Sequence, residues 1–164
     1  MFENLKKTNN LLAFSGGVDS TALFFMLVNA NIKFDIAIVD YNTRKQSKQE
    51  VAYAQELAQK YSKKLFIKNV DKMKLSDFEN NARKIRYAFF DDIANEFDYE
   101  VLLTAHQLND KFEWFLMQLS KGAGVLTLNG MKNQTPRKNY KIVRPLIDVS
   151  RQKLLNFLKI NNIK

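Results

Sequence analysis

The sequence contains no cysteine, one histidine and two prolines in 164 residues. Without cysteine the chain can form neither a disulfide nor a thiolate nucleophile. One histidine and scattered acids make no recognisable pattern of zinc ligands. No apolar run approaches the roughly 20 residues that span a bilayer, and the polar start, residues 1–10, is unlike a signal peptide. We therefore expect a cytoplasmic protein that is not associated with a membrane.

The composition is that of a globular, basic chain. Hydrophobic residues make up 46% of it, including 13 Phe, so the chain can bury a substantial core. Its length predicts a single domain over residues 1–164. The formal net charge of +9 favours a polyanionic partner, above all a nucleic acid. A lysine-rich proteome would also explain this charge, and the charge alone does not decide between the two.

A glycine-containing hexapeptide stands between two apolar stretches near the amino terminus. The stretch before it, residues 11–14, predicts a buried strand, and residues 21–28 after it predict a buried helix. A tight glycine turn that opens a helix binds anions, because the first helical N–H groups have no partner within the helix. The hexapeptide is Ser15-Gly16-Gly17-Val18-Asp19-Ser20.

The hexapeptide does not match two common phosphate loops. A Walker A loop, G-x-x-x-x-G-K-S/T, requires a lysine that is missing here, and a dinucleotide loop, G-x-G-x-x-G, requires a third glycine. The pattern S-G-G-x-D-S instead resembles the PP-loop of the ATP pyrophosphatases, which cut ATP between its α and β phosphates. This resemblance implies that Ser15 to Ser20 bind ATP. Asp19 suits an anion site if Mg²⁺ bridges its carboxylate to the phosphates. A turn that binds nothing is the alternative.

Strands and helices alternate along the rest of the chain. This alternation is typical of the α/β class, and we predict a doubly wound, mainly parallel sheet of five strands with helices on both faces. Residues 130–139 are interpreted as a flexible loop whose basic side chains could reach a polyanion; these are Lys132, Arg137 and Lys138. The predicted strands cover residues 11–14, 34–39, 64–70, 101–105 and 141–144.

Two polar residues follow predicted strands. Ligand groups lie at the carboxyl ends of strands in open α/β sheets, so Asp40, with Tyr41 and Arg44 after it, is a candidate to border a nucleotide. This segment taken alone favours the alternative of a simple polar loop. His106, the single histidine, also stands at the carboxyl end of a predicted strand. The helix that follows His106 is expected to begin at a cap formed by Asn109. Its apolar periodicity predicts a buried side made of Phe112, Phe115, Leu116 and Leu119.

Two pairs of charged residues are candidates for binding or chemistry. Asp110 and Glu113 are three apart and share one helix face; their carboxylates either complement the helix dipole or take part in a reaction. Arg83 and Arg86 fall outside the apolar stripe of their own helix. They face either solvent or a nucleic-acid phosphate, which the planar guanidinium fork fits well.

Further motifs over nearly the whole chain resemble one family that carries a PP-loop, the tRNA(Ile)-lysidine synthetases. Two stretches depart from the usual family pattern: V-D-H-x-L-R has Tyr41 and Thr43 here, and H-H-x-D-D-Q has Gln107, Asn109 and Lys111. The matching motifs are Ser15–Ser20, Val39-Asp40 with Arg44, Asn81-Ala82-Arg83 with Arg86-Tyr87 and Phe89-Phe90, Thr104-Ala105-His106 with Asp110 and Glu113, Gly122-Ala123-Gly124 with Leu128 and Gly130-Met131, and Arg144-Pro145-Leu146.

The resemblance implies a specific reaction with ATP and Mg²⁺ as cofactors. The wobble cytidine of an isoleucine tRNA with a CAU anticodon is adenylated, and free L-lysine then displaces AMP through its ε-amine. The resemblance also implies that the C-terminal tRNA-binding region of the family is absent from this chain, and it is compatible with a homodimer. The implied catalytic residues are Asp19, Asp110 and Glu113; ATP contacts extend to Asp40 and His106, and tRNA contacts come from Arg44, Arg83 and Arg86.

Two alternatives remain open. Another adenylating PP-loop enzyme, such as an ammonia-dependent synthetase, would use no tRNA. A non-catalytic module that binds nucleotide or RNA would release no pyrophosphate from ATP. A tRNA-thiolating enzyme is disfavoured, because such enzymes rely on cysteines and this chain has none.

Overall fold

The computed structural model describes residues 2–42, 45–70, 78–122 and 130–163. In these ranges a short 3₁₀ turn, Glu3–Leu5, precedes alternating strands and helices. None of the helices described is both long and apolar enough to cross a membrane. The strands are β1 (Asn10–Ala13), β2 (Asp35–Asp40), β3 (Leu65–Asn69), β4 (Val101–Leu103), β5 (Gln134–Pro136) and β6 (Lys141–Val143); the helices are α1 (Val18–Asn29), α2 (Lys45–Lys60), α3 (Phe78–Glu96), α4 (Leu108–Ser120) and α5 (Arg151–Ile160).

The strands form one six-stranded sheet in the order β3-β2-β1-β4-β6-β5. Neighbours run parallel except β5, which pairs antiparallel with β6. The predicted α/β class and mainly parallel sheet are therefore confirmed. The predicted number of five strands is wrong, because Gln134–Pro136 forms a sixth strand inside the segment interpreted as a loop. This strand is short and contains a proline, which only the edge of a sheet tolerates, so no strand pattern marks it.

Strand β1 lies at the centre of the sheet, and its side chains are buried on both faces. Leu12 packs in one cluster with Phe24 of α1 and Leu154 of α5, and residues of α2 join the same cluster. Leu11 packs in the other cluster with Phe90 of α3. Successive strand residues point to opposite faces, so a continuous apolar run at β1 holds helices on both. Helices on both faces of the sheet were predicted, and this is confirmed.

The chain changes direction across the sheet between β1 and β4. From β1 it proceeds outward through β2 to β3, and it then returns through α3 to β4 on the other side of β1. At such a point the loops that leave the two strands diverge and open a crevice at their carboxyl ends. The topology therefore places the hexapeptide after β1 opposite the segment that follows β4.

Helix α4 differs from the prediction. Its apolar residues were expected to form a buried side, yet Phe112, Leu116 and Leu119 are 59%, 48% and 46% exposed, and Phe115 is half-buried. Helical periodicity identifies which residues share a face, but it does not show whether a neighbouring element covers that face. The apolar periodicity therefore predicted the helix correctly, but the prediction that its apolar side is buried was wrong.

A buried asparagine fixes the start of the central strand. Asn10 is 1% exposed, and its Nδ2 donates toward the carbonyl oxygens of Leu5, Thr8 and Lys33 at 2.9, 2.8 and 2.8 Å. Its Oδ1 accepts from the Thr8 hydroxyl at 2.9 Å. One side chain thus ties the amino-terminal segment and the approach to β2 to the first residue of β1.

Replacing this amide tests its role. Asn10→Asp turns a carboxylate toward three carbonyl oxygens, and we expect the free energy of unfolding to fall by about 3 kcal/mol or more. The control Asn4→Asp makes the same change at an exposed position and should alter it by less than about 0.5 kcal/mol. Urea unfolding curves at pH 7 measure both variants. Equal unfolding midpoints would show that Asn10 does not hold the strand.

Candidate active site

A cavity of about 440 Å³ opens at the carboxyl ends of β1, β2 and β4. It collects residues from five separate parts of the chain, including most of the hexapeptide. Of the two residues placed at strand ends in the sequence analysis, His106 lines this cavity and Asp40 does not. The lining includes Ser15, Gly17, Asp19 and Ser20 from the hexapeptide, Tyr41 after β2, Glu50 from α2, Arg86 and Tyr87 from α3, and His106 and Asp110 after β4.

The hexapeptide forms a closed turn from β1 into α1. The hydroxyls of Ser15 and Ser20 lie 3.1 Å apart, and Ser20 also donates to the Gly17 carbonyl at 3.0 Å. Gly17 is the N-cap of α1, and as a glycine it has no side chain that could cap the helix. The amino end of α1, with its partial positive charge, therefore faces the crevice without a capping side chain from its own N-cap residue.

Gly16 is required in this turn for two reasons. Its φ is +74°, in the left-handed region that side-chain-bearing residues rarely adopt. A Cβ on Gly16 would also lie 2.7 Å from the Cβ of Glu50 in α2. The missing side chain thus lets α2 approach the turn and hold it. Glu50 was not predicted as a site residue, because it follows a serine by three and matches a helix-capping pattern.

Asp19 lies in the first turn of α1 and carries an unpaired oxygen. Its Oδ1 is buried and has no hydrogen-bond partner among the described residues. Burial raises the pKa of the Asp19 carboxyl; Arg151 opposes this rise, and the Asp110 carboxylate adds to it. A buried oxygen without a donor is a suitable ligand for a hard cation. Within the described ranges no three acidic or histidine side chains gather into a metal cluster.

His106 follows β4 and is held as a neutral base. Its Nδ1 lies 2.9 Å from the Thr104 hydroxyl. Burial lowers the pKa of His106 below its usual range, and the positive charge of Arg144 lowers it further; Asp110 acts in the opposite direction. The imidazole is therefore uncharged at neutral pH, which suits a hydrogen-bonding role in the cavity better than an ion pair.

Asp110 has a structural role in addition to its place in the cavity wall. Its Oδ2 accepts from the Gln107 backbone N–H at 2.7 Å, while the Gln107 side chain accepts from the Asn109 N–H at 2.8 Å. This capping box starts α4 at Leu108, so the prediction that Asn109 caps the helix is wrong. The backbone at position 107 thus positions Asp110, while the side chain of Gln107, one of the departures from the family pattern, caps the helix at Asn109.

Tyr41, another departure from the family pattern, joins two elements of the site. Its hydroxyl donates to the Ala82 carbonyl at 2.9 Å, which links the end of β2 to the second turn of α3. Burial raises the pKa of Tyr41, and Arg86 opposes that rise. The phenol therefore stays a neutral donor and holds α3 beside the cavity.

Some predicted site residues lie beside the cavity and do not line it. Asp40 accepts from the Asn42 N–H at 2.8 Å in the turn after β2, and Glu113 is exposed one helical turn beyond Asp110. Arg83 is exposed on α3, one turn before the lining residue Tyr87. The predicted residue Arg44 lies outside the described residues, as do the motif positions Ala123, Gly124 and Leu128.

Comparison with protein families identifies the hexapeptide and its surroundings. A family model described as a PP-loop domain matches residues 1–164. A tRNA(Ile)-lysidine synthase of Campylobacter jejuni is 50% identical over 159 residues, covering 97% of this chain and 49% of the relative. One of Helicobacter pylori is 51% identical over 157 residues, covering 96% of this chain and 46% of the relative. This chain spans about half the length of the curated relatives it matches.

Solved structures share the fold at low identity. The U34-tRNA thiolase NcsA from Methanococcus maripaludis matches with a TM-score of 0.78 and 17% identity, over 99% of this chain and 59% of that one. An NMN synthetase from Francisella tularensis matches with a TM-score of 0.66 and 12% identity, over 94% of this chain and 62% of that one. At these identities the likeness supports the fold and not a substrate.

The two constraints on Gly16 can be separated by a matched pair of variants. Gly122 also has a positive φ, +68°, but a Cβ there meets no atom of the described residues within 4 Å. Gly122→Ala should therefore lose only the roughly 1–2 kcal/mol of the left-handed conformation. Gly16→Ala should lose about 1–3 kcal/mol more, because Glu50 must also move. Urea unfolding and titration with an ATP analogue measure both; equal losses would refute the contact with α2.

Because His106 is the only histidine in the sequence, its titration can be observed directly. We expect the imidazole of the folded protein to titrate below about 6.5, the value of an unperturbed histidine. Because the folded state favours the neutral ring, folding should lose stability as the pH falls from about 6.5 through this lower pKa. The imidazole proton signals in NMR spectra give the midpoint, and the chain in urea serves as the reference. A folded midpoint at or above that of the unfolded chain would contradict the burial of His106.

Proposed function

The chain belongs to the PP-loop family, and on that premise we propose that it is the catalytic domain of a lysidine-forming ligase. In this reaction ATP adenylates the wobble cytidine of an isoleucine tRNA with a CAU anticodon, and lysine then replaces AMP. The observation that supports it most directly is that one cavity joins the PP-loop to residues of the later motifs, among them Arg86, His106 and Asp110. The proposed reaction places the protein in the cytoplasm, and the expected homodimer stays a prediction.

The turn and the start of α1 would bind the phosphates of ATP. The amino end of α1, whose N-cap is Gly17, favours negative charge, and the Ser15 and Ser20 hydroxyls would turn from their contacts within the loop toward the phosphates. His106 and Tyr41 line the same cavity, and Asp40 lies directly before Tyr41. These residues would contact the rest of the nucleotide. The PP-loop family implies the use of ATP, so this assignment needs no further motif.

Asp19 fits the Mg²⁺ that the reaction would require. Its buried Oδ1 lacks a hydrogen-bond partner among the described residues, and a carboxylate oxygen is the kind of ligand that Mg²⁺ prefers. Since no further acids or histidines in the described ranges gather into a metal cluster, phosphate oxygens and water would complete the coordination. When bound, the ion would neutralise charge on the leaving pyrophosphate.

The first step needs an oxygen nucleophile and a good leaving group. The O2 of the cytidine attacks the α-phosphorus of ATP; a new P–O bond forms and the bond to the β-phosphate oxygen breaks. Pyrophosphate leaves with the electron pair, and donors fixed at the amino end of α1 stabilise the developing charge. The neutral base ring thereby gains an adenylate at C2, which is easily displaced.

The second step needs a free amine. The ε-amine of lysine attacks C2, AMP leaves with the former carbonyl oxygen, and the nitrogen loses a proton. Asp110, which lines the cavity, would bind the ammonium or accept its proton, and its capping bond to Gln107 holds it in place. Glu113, exposed one turn further along α4, would attract the lysine at the mouth of the cavity.

The reaction is tested by omitting its components one at a time. The assay contains α-labelled ATP, Mg²⁺, lysine and a CAU-anticodon isoleucine tRNA transcript, and it follows AMP and the entry of lysine into RNA. We expect AMP only when RNA is present, and we expect label supplied on the lysine to enter the RNA. AMP formation with ammonia and a small acid, independent of RNA, would instead identify an ammonia-dependent synthetase. Tight ATP binding without AMP would mean either an isolated catalytic domain or a module without the chemistry. Absence of AMP even after the part of the Campylobacter jejuni relative that this chain does not cover is appended would refute the ligase.

Asp19→Asn is the matched inactive variant. We expect AMP formation to fall at least about 100-fold, because the cation would lose its protein ligand. The folded protein should not lose stability at pH 7, since the raised pKa of Asp19 means that its charge opposes folding. Thermal unfolding measured beside the assay therefore separates lost chemistry from lost structure. Wild-type AMP formation by this variant would contradict the assignment of Asp19.

A further inference from the structure

The hairpin formed by β5 and β6 lies along helix α3. Three of its side chains each contact a different turn of the helix, at positions four residues apart, which share one helix face. The hairpin is thus fixed against α3 and is not a free loop. The contacts are the Arg137 guanidinium with the Tyr87 ring, whose centroid lies 4.8 Å from Cζ, the Tyr140 hydroxyl donating to Asp91 at 2.5 Å, and the Asn139 amide donating to Asn95 at 2.7 Å.

The other end of the hairpin is braced by a buried arginine. Arg144, 7% exposed, donates through Nη1 to the Lys132 carbonyl at 2.9 Å and to the Thr135 hydroxyl at 2.8 Å. Its backbone N–H donates to the Asn133 carbonyl at 2.8 Å. With both ends held, the position of Arg137 relative to α3 is set by the fold.

Tyr87 is the centre of a cationic group at the cavity. The Cζ of Arg83 lies 5.6 Å from the centre of its ring, so the ring contacts two guanidinium groups, and Tyr87 itself lines the cavity. In the part of the chain that the structure describes, the ion pairs are Lys6–Glu3 and Lys111–Asp148, so neither Arg83 nor Arg137 has a carboxylate partner. Two exposed guanidinium groups beside one ring concentrate positive charge at this rim, and an anion that contacts either of them is attracted by both.

The chemistry of this group fits RNA better than ATP. Phosphates of ATP have a separate place at the amino end of α1, whereas Arg137 stands on the far hairpin and does not line the cavity. A nucleotide of an RNA loop must leave its stack to reach the cavity, and this exposes the phosphate beside it to side chains at the rim. Guanidinium forks match phosphate oxygens, and an aromatic ring accepts an unstacked base.

We propose that Arg137 and Tyr87, with Arg83, form a subsite for a phosphodiester of single-stranded RNA next to the nucleotide that enters the cavity. The proposal rests on the proposed function in that the substrate is an RNA. It assigns a role to the hairpin: β5 extends the sheet and carries Arg137 to α3. Binding there would hold the target loop against the rim while the base lies inside.

The subsite is tested by binding of a short RNA hairpin with a CAU loop. Arg137→Ala should weaken binding, measured by fluorescence anisotropy, by about tenfold, the usual order for a lost charge-assisted contact. The slope of log Kd against log salt should fall by about 0.7–1, as expected for one lost phosphate contact. Arg137→Lys keeps the charge without the planar fork and should lie between the two.

Lys33→Ala is the matched control. Lys33 is exposed and precedes β2, at the amino ends of the strands, so its removal changes the net charge equally at the opposite edge of the sheet. Its affinity for the RNA hairpin should stay within about twofold of the wild type, since only long-range charge is lost. Thermal unfolding of each variant verifies that the exposed substitution leaves the fold intact.

The outcomes separate this subsite from the proposed reaction. RNA affinity of Arg137→Ala equal to that of Lys33→Ala would overturn the subsite, even if the wild type forms lysidine. A loss of affinity for an ATP analogue, with RNA binding unchanged, would mean that Arg137 serves ATP and would also overturn it. No RNA binding by the wild type at low salt would do the same. The expected loss of RNA affinity in a chain that releases no AMP would support the subsite and refute the ligase.

Discussion

The left-handed turn at Gly16 is the constraint on which the site depends. It turns the chain from β1 directly into α1, so that the amino end of α1 meets the crevice beside β4. Because Gly16 has no side chain, α2 can lie against it through Glu50, and the hydroxyls of Ser15 and Ser20 close the turn from inside. The loop is therefore formed in advance, and a bound anion would not have to order it.

The surrounding residues are not arranged for stability alone. Asp19 keeps a buried oxygen without a partner, and Arg83 and Arg137 share one aromatic ring without a carboxylate in the described ranges. The buried oxygen of Asp19 without a partner among the described residues is unfavourable until a cation arrives, and the two arginines concentrate positive charge that an anion would neutralise. The central strand, apolar on both faces, supplies the stability that tolerates them. Positions where local electrostatics oppose the fold are thus the positions where ligands are expected.

Sequence patterns predicted the strand and helix beside the turn well, but they predicted contacts between residues far apart in the chain less well. The strand, turn and helix around Ser15–Ser20 are contiguous, so their apolar periods and glycines specify them directly. Helix α4 shows the limit: its period was correct, but Phe112 is exposed, since burial depends on elements far away in sequence. The cap of that helix is Gln107 and not Asn109, because the backbone direction after β4 decided which side chain reaches the free N–H groups.

The sequence alone determined the α/β class, the glycine turn at the start of α1 and the set of chemical groups available at the carboxyl ends of the strands. These follow from local rules: side-chain period, glycine conformation and unpaired N–H groups at a helix start. Tertiary structure decided that Asp19 and Asp110 face one cavity and that Arg137 meets Tyr87. It also decided that Gln134–Pro136 pairs with β6. Those relations join residues far apart in the chain, and only the packing of the sheet against its helices sets the distances between them.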